Sequence, residues 1–404
     1  MRSKKANKSS VLILLLVMIL VVLCRECGQK RQPKEAVNME TAIETQQTEE
    51  ESVKADAESD IRVEEQETDR ALAETESEPE TTEIEKTSEA EKPSEAEKTF
   101  ETMEPEAAPV PEEPVKSRFE TVAEEIGLWV DCVEIDLPGV QNPYELLFVN
   151  DMHVLKLDDQ VAADHVETVR VRQDIMFRTQ TGMYSADAWL KLSGILDDFA
   201  ADAVIFGGDM IDFASATNVE VLSEGLSQIK TPYIYLRADH DLGTWYSGGT
   251  MYAEDAIALH TSVCSYQDMF VLEYPEFYVL GWNNSTSQLT DEGMEAVMNI
   301  WESGKPIILT THVPLNSIVD NSLAEAAANV DPEGRKKLWG DGCLYQPYGN
   351  TSSLLEMIYD ANSPVKAVFS GHLHFKHTVQ LTEQTLEYVF APAFQGKIAK
   401  IIIK

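Results

Sequence analysis

From residue 119 onward the chain repeats one hydrophobic pattern: a short apolar run, rich in β-branched and aromatic residues, that ends abruptly in polar ones. The runs fall at 146–149, 203–206, 233–236, 277–280, 307–309 and 367–369, and two more, 388–390 and 401–403, close the chain. Unbroken runs of this length predict strands buried on both faces. Between several of them the apolar spacing changes to three and four. Trp189, Leu190, Leu192, Ile195 and Leu196 share one helical face over about 185–200. Met294, Val297, Met298 and Trp301 do the same over about 291–303, where Thr290 and Asp291 offer N-caps. Strands alternating with helices predict an α/β domain.

The first 117 residues follow other patterns. Residues 11–24 are an unbroken apolar run, preceded by Lys4, Lys5 and Lys8 and followed by Arg25. That is short of the roughly 20 residues that span a bilayer comfortably. No small-residue cleavage site follows, and Val21-Val22-Leu23-Cys24 has Leu where a lipoprotein box needs a small residue. The expectation is a basic cytoplasmic flank over 1–10 and an uncleaved signal anchor over 11–24. Everything beyond would then lie extracytoplasmic at the cell membrane; cleavage and secretion, or lipidation at Cys24, is the alternative. Residues 25–117 have too little apolar surface to offset the entropy of ordering, and predict a disordered acidic linker. Part of it repeats with period six (Glu-Lys-Thr-Ser-Glu-Ala, then Glu-Lys-Pro-Ser-Glu-Ala), which makes spacer rather than solenoid. The folded domain is expected over 118–404.

Charge narrows the partners. The formal charge is −38, and residues 35–114 carry 28 Asp/Glu against six Lys/Arg. A surface this acidic argues against long nucleic acid, whose affinity comes largely from Lys and Arg neutralising phosphates. A small anionic substrate fits if bound cations reverse the sign locally. Five cysteines fix no disulfide framework, although one pair among Cys132, Cys264 and Cys343 is compatible with the count.

The polar residues that end the predicted strands carry chemistry. The first strand runs into Asp151-Met152-His153, the second into Gly207-Gly208-Asp209-Met210-Ile211-Asp212, and the third into Ala238-Asp239-His240-Asp241. The strand at 307–309 runs into His312, and the one at 367–369 into Gly371-His372-Leu373-His374. Five of eight histidines thus lie just past strand C-termini, the edge at which open α/β sheets bind ligands. Imidazoles mixed with carboxylates suit Zn, Mn, Fe or Ni better than Mg or Ca. On an extended segment D-x-H and H-x-H would turn both members to one side. Gly207, Gly208 and Gly371 are expected to supply backbone freedom for the turns.

As a set these pieces closely resemble the calcineurin-like metallophosphoesterase family, whose motifs D-x-H, G-D-x-x-[DE], G-N-H-[DE], a separate His and G-H-x-H occur here in the same order. The resemblance implies a four-layer α/β/β/α sandwich, two mixed β-sheets flanked by helices. It implies two divalent metal ions (Mn, Fe, Zn or Ni), the first held by Asp151, His153, Asp209 and His374. Asp209 would bridge to the second, which also takes Asp239, His312 and His372. It implies a catalytic role for His240, oriented by Asp241. The chemistry would be hydrolysis of a phosphomonoester or phosphodiester by a hydroxide held between the metals, with His240 assisting. A surface-displayed metal-binding protein without turnover is the second reading, and the lack of an H-x-H-x-D-H run speaks against a metallo-β-lactamase-like site.

One position departs from the family pattern: Asp239 stands where Asn is usual. The extra negative charge is expected to tighten metal binding and reduce the Lewis acidity of the second ion. Outside the motifs, His165, His260 and His377 read as surface or core histidines. Arg170, Arg172 and Arg178 read as surface charge with phosphate steering as the alternative. The basic, glycine-rich stretch from Arg335, Lys336 and Lys337 onward is a lid candidate. Trp245 to Gly249 form a candidate rim, and Asn283, Asn284 and Ser285 a turn.

Overall fold

The apolar runs become strands of two sheets in a computed structural model that describes residues 116–404 apart from 248–253, 266, 286–287, 332–335, 337 and 340–346. The expected anchor, nearly all of the expected linker, and Arg335, Lys337 and Cys343 lie outside those residues. No helix among the described residues is long and apolar enough to cross a membrane.

The first sheet contains β1 (Trp129–Ile135), β2 (Tyr144–Val149), β3 (Ala203–Gly207), β4 (Tyr233–Leu236) and β11 (Lys397–Ile403), in the order β1-β11-β2-β3-β4. The second contains β5 (Met269–Glu273), β6 (Tyr278–Trp282), β7 (Ile307–Thr311), β8 (Val365–Ser370), β9 (His377–Gln380) and β10 (Leu386–Val389), in the order β5-β6-β7-β8-β10-β9. Both are mixed. Strands β2, β3 and β4 are parallel with β11 antiparallel to β2, while β6, β7, β8 and β10 are parallel with β5 and β9 antiparallel at the edges. The helices are α1 (Arg118–Ile126), α2 (Val166–Val171), α3 (Ser185–Ser193), α4 (Ala216–Leu226), α5 (Asp239–Leu242), α6 (Glu254–Thr261), α7 (Asp291–Trp301), α8 (Ser322–Val330) and α9 (Asn350–Tyr359).

Period-two alternation sorts the strand residues between layers. Leu146, Phe148, Ile205 and Ile401 of the first sheet meet Val279, Ile308 and Phe369 of the second. The intervening residues Leu147, Val149, Val204 and Phe206 turn outward to Trp189, Leu192 and Leu222 of α3 and α4. On the far side Leu280, Leu309 and Val368 pack with Val297 and Ile300 of α7 and Leu354 and Ile358 of α9. The result is the expected α/β/β/α layering.

Local chemistry sets the element ends. Thr290 caps α7 by accepting from Gly293 N at 3.1 Å. Helix α3 is shorter than its apolar spacing predicts: it stops at Ser193, and Leu196–Phe199 continues as a separate 3₁₀ turn. Strand β1 has no clean run because Asp131 and Glu134 interrupt it at a sheet edge. Cys132 and Cys264 are free thiols, so they do not pair with each other.

Candidate metal centre

The histidines and carboxylates predicted as ligands follow β2, β3, β4, β7 and β8, at their C-terminal ends. Their backbone is not extended. Asp151, His153, Asp209, His372 and His374 have φ of 50°, 43°, 52°, 67° and 57°, and Ala200 is the only other non-glycine with positive φ among the described residues. Each left-handed residue costs of order 1–3 kcal/mol and persists where its surroundings hold it. Here each one folds the chain back, so that residues two apart turn to a shared centre without a strand to align them. Hydrogen bonds from Asp151 N to Gly208 O and from His153 N to Asp209 O, both 2.9 Å, hold the first two loops together. Leu373 N donates to Gly371 O at 2.7 Å, closing a three-residue turn about His372. Of the glycines, Gly208 is left-handed, with φ 92°, and a Cβ there would lie 2.7 Å from His312 Nδ1. Gly371 serves space rather than freedom, since its Cβ would lie 2.5 Å from Asp151 Oδ2.

Two groups of ligand-type atoms form, each within 4.8 Å: Asp151, His153 and His374, and Asp209, His312 and His372. In the first, His153 Nε2 and His374 Nε2 face each other at 3.1 Å, and His374 Nε2 lies 3.4 Å from Asp151 Oδ1. In the second, His312 Nε2 is 3.1 Å from Asp209 Oδ2, which is also 3.8 Å from His153 Nε2. Asp209 therefore stands between the groups.

These residues fit a pair of divalent ions. Asp151 Oδ1, Asp209 Oδ1, His312 Nε2 and His372 Nε2 are buried without a hydrogen-bond partner among the described residues, a state that folded proteins rarely leave uncompensated. The second ring nitrogens are used as metal-ligating histidines use them. His153 Nδ1 donates to Asp212 Oδ1 at 3.1 Å and His312 Nδ1 to Gly207 O at 2.8 Å, which leaves both Nε2 lone pairs toward the centre. Burial pushes the His153 and His374 pKa values down to about 4, favouring neutral imidazoles. Burial also opposes charge on His312, but Asp209, Asp151 and Asp239 outweigh it and raise that pKa to about 10. The excess of carboxylate calls for cations.

Asp239 joins neither group. Its Oδ1 accepts from Ser285 Oγ at 3.0 Å, and its backbone N donates to the same hydroxyl at 3.2 Å. The predicted turn at Asn283, Asn284 and Ser285 is thus a brace. Asn284 Oδ1 accepts from His312 N and Val313 N at 3.2 and 3.0 Å, and Asn283 Oδ1 accepts from Arg237 N at 2.9 Å.

His240 is placed differently from expectation. Its Nδ1 donates to Asp212 O at 2.7 Å and lies 3.4 Å from Asp212 Oδ1. Asp241 instead accepts from Met210 N, Ile211 N and Tyr235 Oη through Oδ1 and from Ala238 N through Oδ2. The short helix α5 turns Asp241 inward, where it ties the β3 and β4 loops together, and the partner of His240 Nδ1 is the backbone O of Asp212. Arg172 does not steer phosphate from the surface either. It is 2 % exposed, and its Nε and Nη2 donate to Asp212 Oδ2 and Oδ1 at 3.0 and 2.7 Å. Its guanidinium lies 4.9 Å from the Phe177 ring centre and 5.4 Å from that of Tyr246. Asp212, His153 and His240 also come within 4.8 Å, but Arg172 already supplies the cation there.

Around this core, Phe177 stacks on His153 at 4.3 Å and Trp245 sets its ring edge against His240 at 5.1 Å. Trp339 is buried against Trp282 and anchors the described part of the lid candidate to the Leu315 loop. Lys336 Nζ donates to His372 O at 3.3 Å. His260 is buried beside Tyr235, and His377 contacts Ser322 Oγ at 3.0 Å, both away from the centre.

No curated protein matches the chain. Among solved structures it is similar to a dimetal phosphatase from Danio rerio, at 10% identity and TM-score 0.39, over 63% of this chain and 89% of that one. It is similar to a purple acid phosphatase from yellow lupin (Lupinus luteus) seeds, at 13% identity and TM-score 0.38, over 64% of this chain and 45% of that one. The chain thus spans about half the length of the lupin enzyme. A phosphopantetheinyl hydrolase from Mycobacterium tuberculosis matches at 12% identity and TM-score 0.33, over 63% of this chain and 92% of that one. The sequence model of the calcineurin-like phosphoesterases matches residues 144–376, more than half of the chain. On that match, and with the two ligand groups in place, the chain belongs to the calcineurin-like phosphoesterase family and is a metal-dependent hydrolase of phosphoric esters.

Proposed function

We propose that the chain hydrolyses phosphoric monoesters or diesters at a two-metal centre. Asp151, His153, Asp209 and His374 hold one ion, and Asp209, Asp239, His312 and His372 hold the other. The observation that carries this is the position of Asp209 Oδ2, 3.1 Å from His312 Nε2 and 3.8 Å from His153 Nε2. Two divalent ions held there supply the positive charge that offsets the anionic oxygens of a phosphate ester and acidify water for attack.

The chain's own residues do the rest. Asp212 takes the Nδ1 protons of His153 and His240, which leaves both Nε2 atoms for the reaction centre. His240, when protonated, can pass its Nε2 proton to the leaving oxygen. Phe177 stacks on His153 and Trp245 stands perpendicular to His240, which packs both rings in place. Asp239, held by Ser285, brings a third carboxylate to a centre that usually has two and an amide. The run at 11–24 and the acidic linker support a catalytic domain tethered outside the membrane, which protease accessibility on intact cells tests.

The test of activity is direct. Metal-free full-length chain is titrated with Mn²⁺, Ni²⁺ or Zn²⁺ and assayed on 4-nitrophenyl phosphate and bis(4-nitrophenyl) phosphate. Metal-dependent nitrophenolate release is expected on at least one ester. Two bound equivalents with no turnover on either ester would leave a metal-binding protein without catalysis.

A further inference from the structure

Glu387 is a charged-type residue in the middle of β10, and it is 0 % exposed. Glu is almost never fully buried unless paired. Its hydrogen-bond partners among the described residues are neutral: Leu315 N donates to Oε1 and Oε2 at 3.0 and 3.2 Å, and Ser370 Oγ donates to Oε1 at 2.8 Å. Both partners are informative. Leu315 lies three residues after His312 on the loop leaving β7, and Ser370 ends β8 two residues before His372. The carboxyl therefore spans the two chain segments that deliver the histidines of one ligand group, and it touches neither segment of the other group's Asp151 and His153. The same loop is held from its other side, where Asn284 accepts from His312 N and Val313 N.

We propose that Glu387 is a positioning residue for one half of the metal centre, fixing the spacing of His312 and His372 and thereby the affinity for the second ion. The inference rests on the two-metal reading above. A leucine in its place would fill the space but leave Leu315 N without its acceptor and Ser370 Oγ without its own. Burial pushes the Glu387 pKa up to about 8, so a glutamine, neutral and with an acceptor at the same reach, is a close substitute.

The test uses the full chain stripped of metal and titrated with Mn²⁺ by calorimetry, with bound metal counted by elemental analysis and the metal-free melt recorded for each variant. Wild type is expected to bind two equivalents. Glu387→Leu should bind the first as wild type does and the second about 10–100-fold more weakly, the usual scale for a residue that orients a ligand. Glu387→Gln should recover most of that loss. Equal affinity for both equivalents in Glu387→Leu and wild type overturns the inference alone, as does a Gln variant no better than Leu. A wild-type chain that binds fewer than two equivalents overturns the two-metal reading itself. Should Glu387→Leu fail to melt cooperatively, Ser370→Ala, which removes one donor and leaves the core filled, is expected to weaken the second equivalent selectively. An unchanged second equivalent in Ser370→Ala then overturns the inference.

Discussion

Arg172 forks onto both oxygens of Asp212, at 3.0 and 2.7 Å, in a pocket where the two residues are 2 % and 0 % exposed. The same carboxylate receives His153 Nδ1 at 3.1 Å and stands 3.4 Å from His240 Nδ1. One ion pair thus stands against both His153 and His240. Burial works against ionising Asp212, but Arg172 and the two histidines hold its pKa well below the usual range.

Breaking that pair from one side strands a buried charge, which costs about 3–5 kcal/mol. Arg172→Met and Asp212→Asn should each lower the free energy of unfolding in urea by an amount of that order. The double variant should lose less than the two singles together, by about 0.5–3 kcal/mol. Asp212→Asn should also cut metal affinity about 10–100-fold, because an amide turned to His153 offers an N–H where a carboxylate oxygen was. Strict additivity in the unfolding cycle would show that the pair is not coupled.

His240 separates proton transfer from metal binding. It contacts Asp212 and the ring edges of His153 and Trp245, at 4.7 and 5.1 Å, and belongs to neither of the two ligand groups. His240→Asn should keep two bound metals and lose about 10²–10⁴-fold in kcat. The loss should grow with the basicity of the leaving group, since a poor leaving group needs the proton most. A series of aryl phosphates checks this; a uniform loss across the series would assign His240 to charge stabilisation instead.

Much of this centre was legible because its parts are local in sequence. Apolar runs marked β2, β3, β4, β6, β7 and β8, and the residues just past five of them are the candidate ligand set. What stayed hidden depends on contacts between distant segments. Nothing about Arg172 separates it from Arg170 and Arg178 until α2 and the π-helical turn Arg172–Met176 carry it under Asp212. Asp241 looked like the partner of His240 because it is adjacent in sequence, yet adjacent residues on a helical turn diverge. The left-handed backbone at five ligand positions was equally unreadable, because Asp and His carry no sign of φ.

Asp239 is where the sequence departs from its family, and the structure adds the Ser285 hydroxyl that holds it at 3.0 Å. Burial alone would raise its pKa, but His240, His312 and His372 outweigh that and lower it. Asp239→Asn removes one negative charge beside the second ion while preserving the Ser285 contact. Its metal affinity should fall about tenfold, on the scale of other changes around a ligand, and turnover at saturating metal should rise. Metal titration with parallel kcat measurement checks both, and unchanged values would show that the carboxylate is neutral for function.

Glu387 makes a prediction about stability that needs no metal. Its folded pKa, raised by burial to about 8, stands above the 4.5 of an unperturbed Glu. A raised folded pKa means that the folded state binds the proton more tightly than the unfolded chain. The stability this contributes is complete below pH 4.5 and is lost as pH climbs toward 8. For so buried a carboxyl the loss is on the order of 4 kcal/mol. Tyr359 on α9 feels the same charge and is pushed well above its usual range, first by burial and then by Glu387, so it stays neutral across this window. Glu387→Gln cannot ionise. Urea unfolding of metal-free protein at pH 5 and pH 9 should therefore show wild type losing stability relative to the Gln variant as pH rises. A constant difference between the two proteins would mean that the Glu387 carboxyl is already ionised in the folded protein at pH 5, as it is in the unfolded chain.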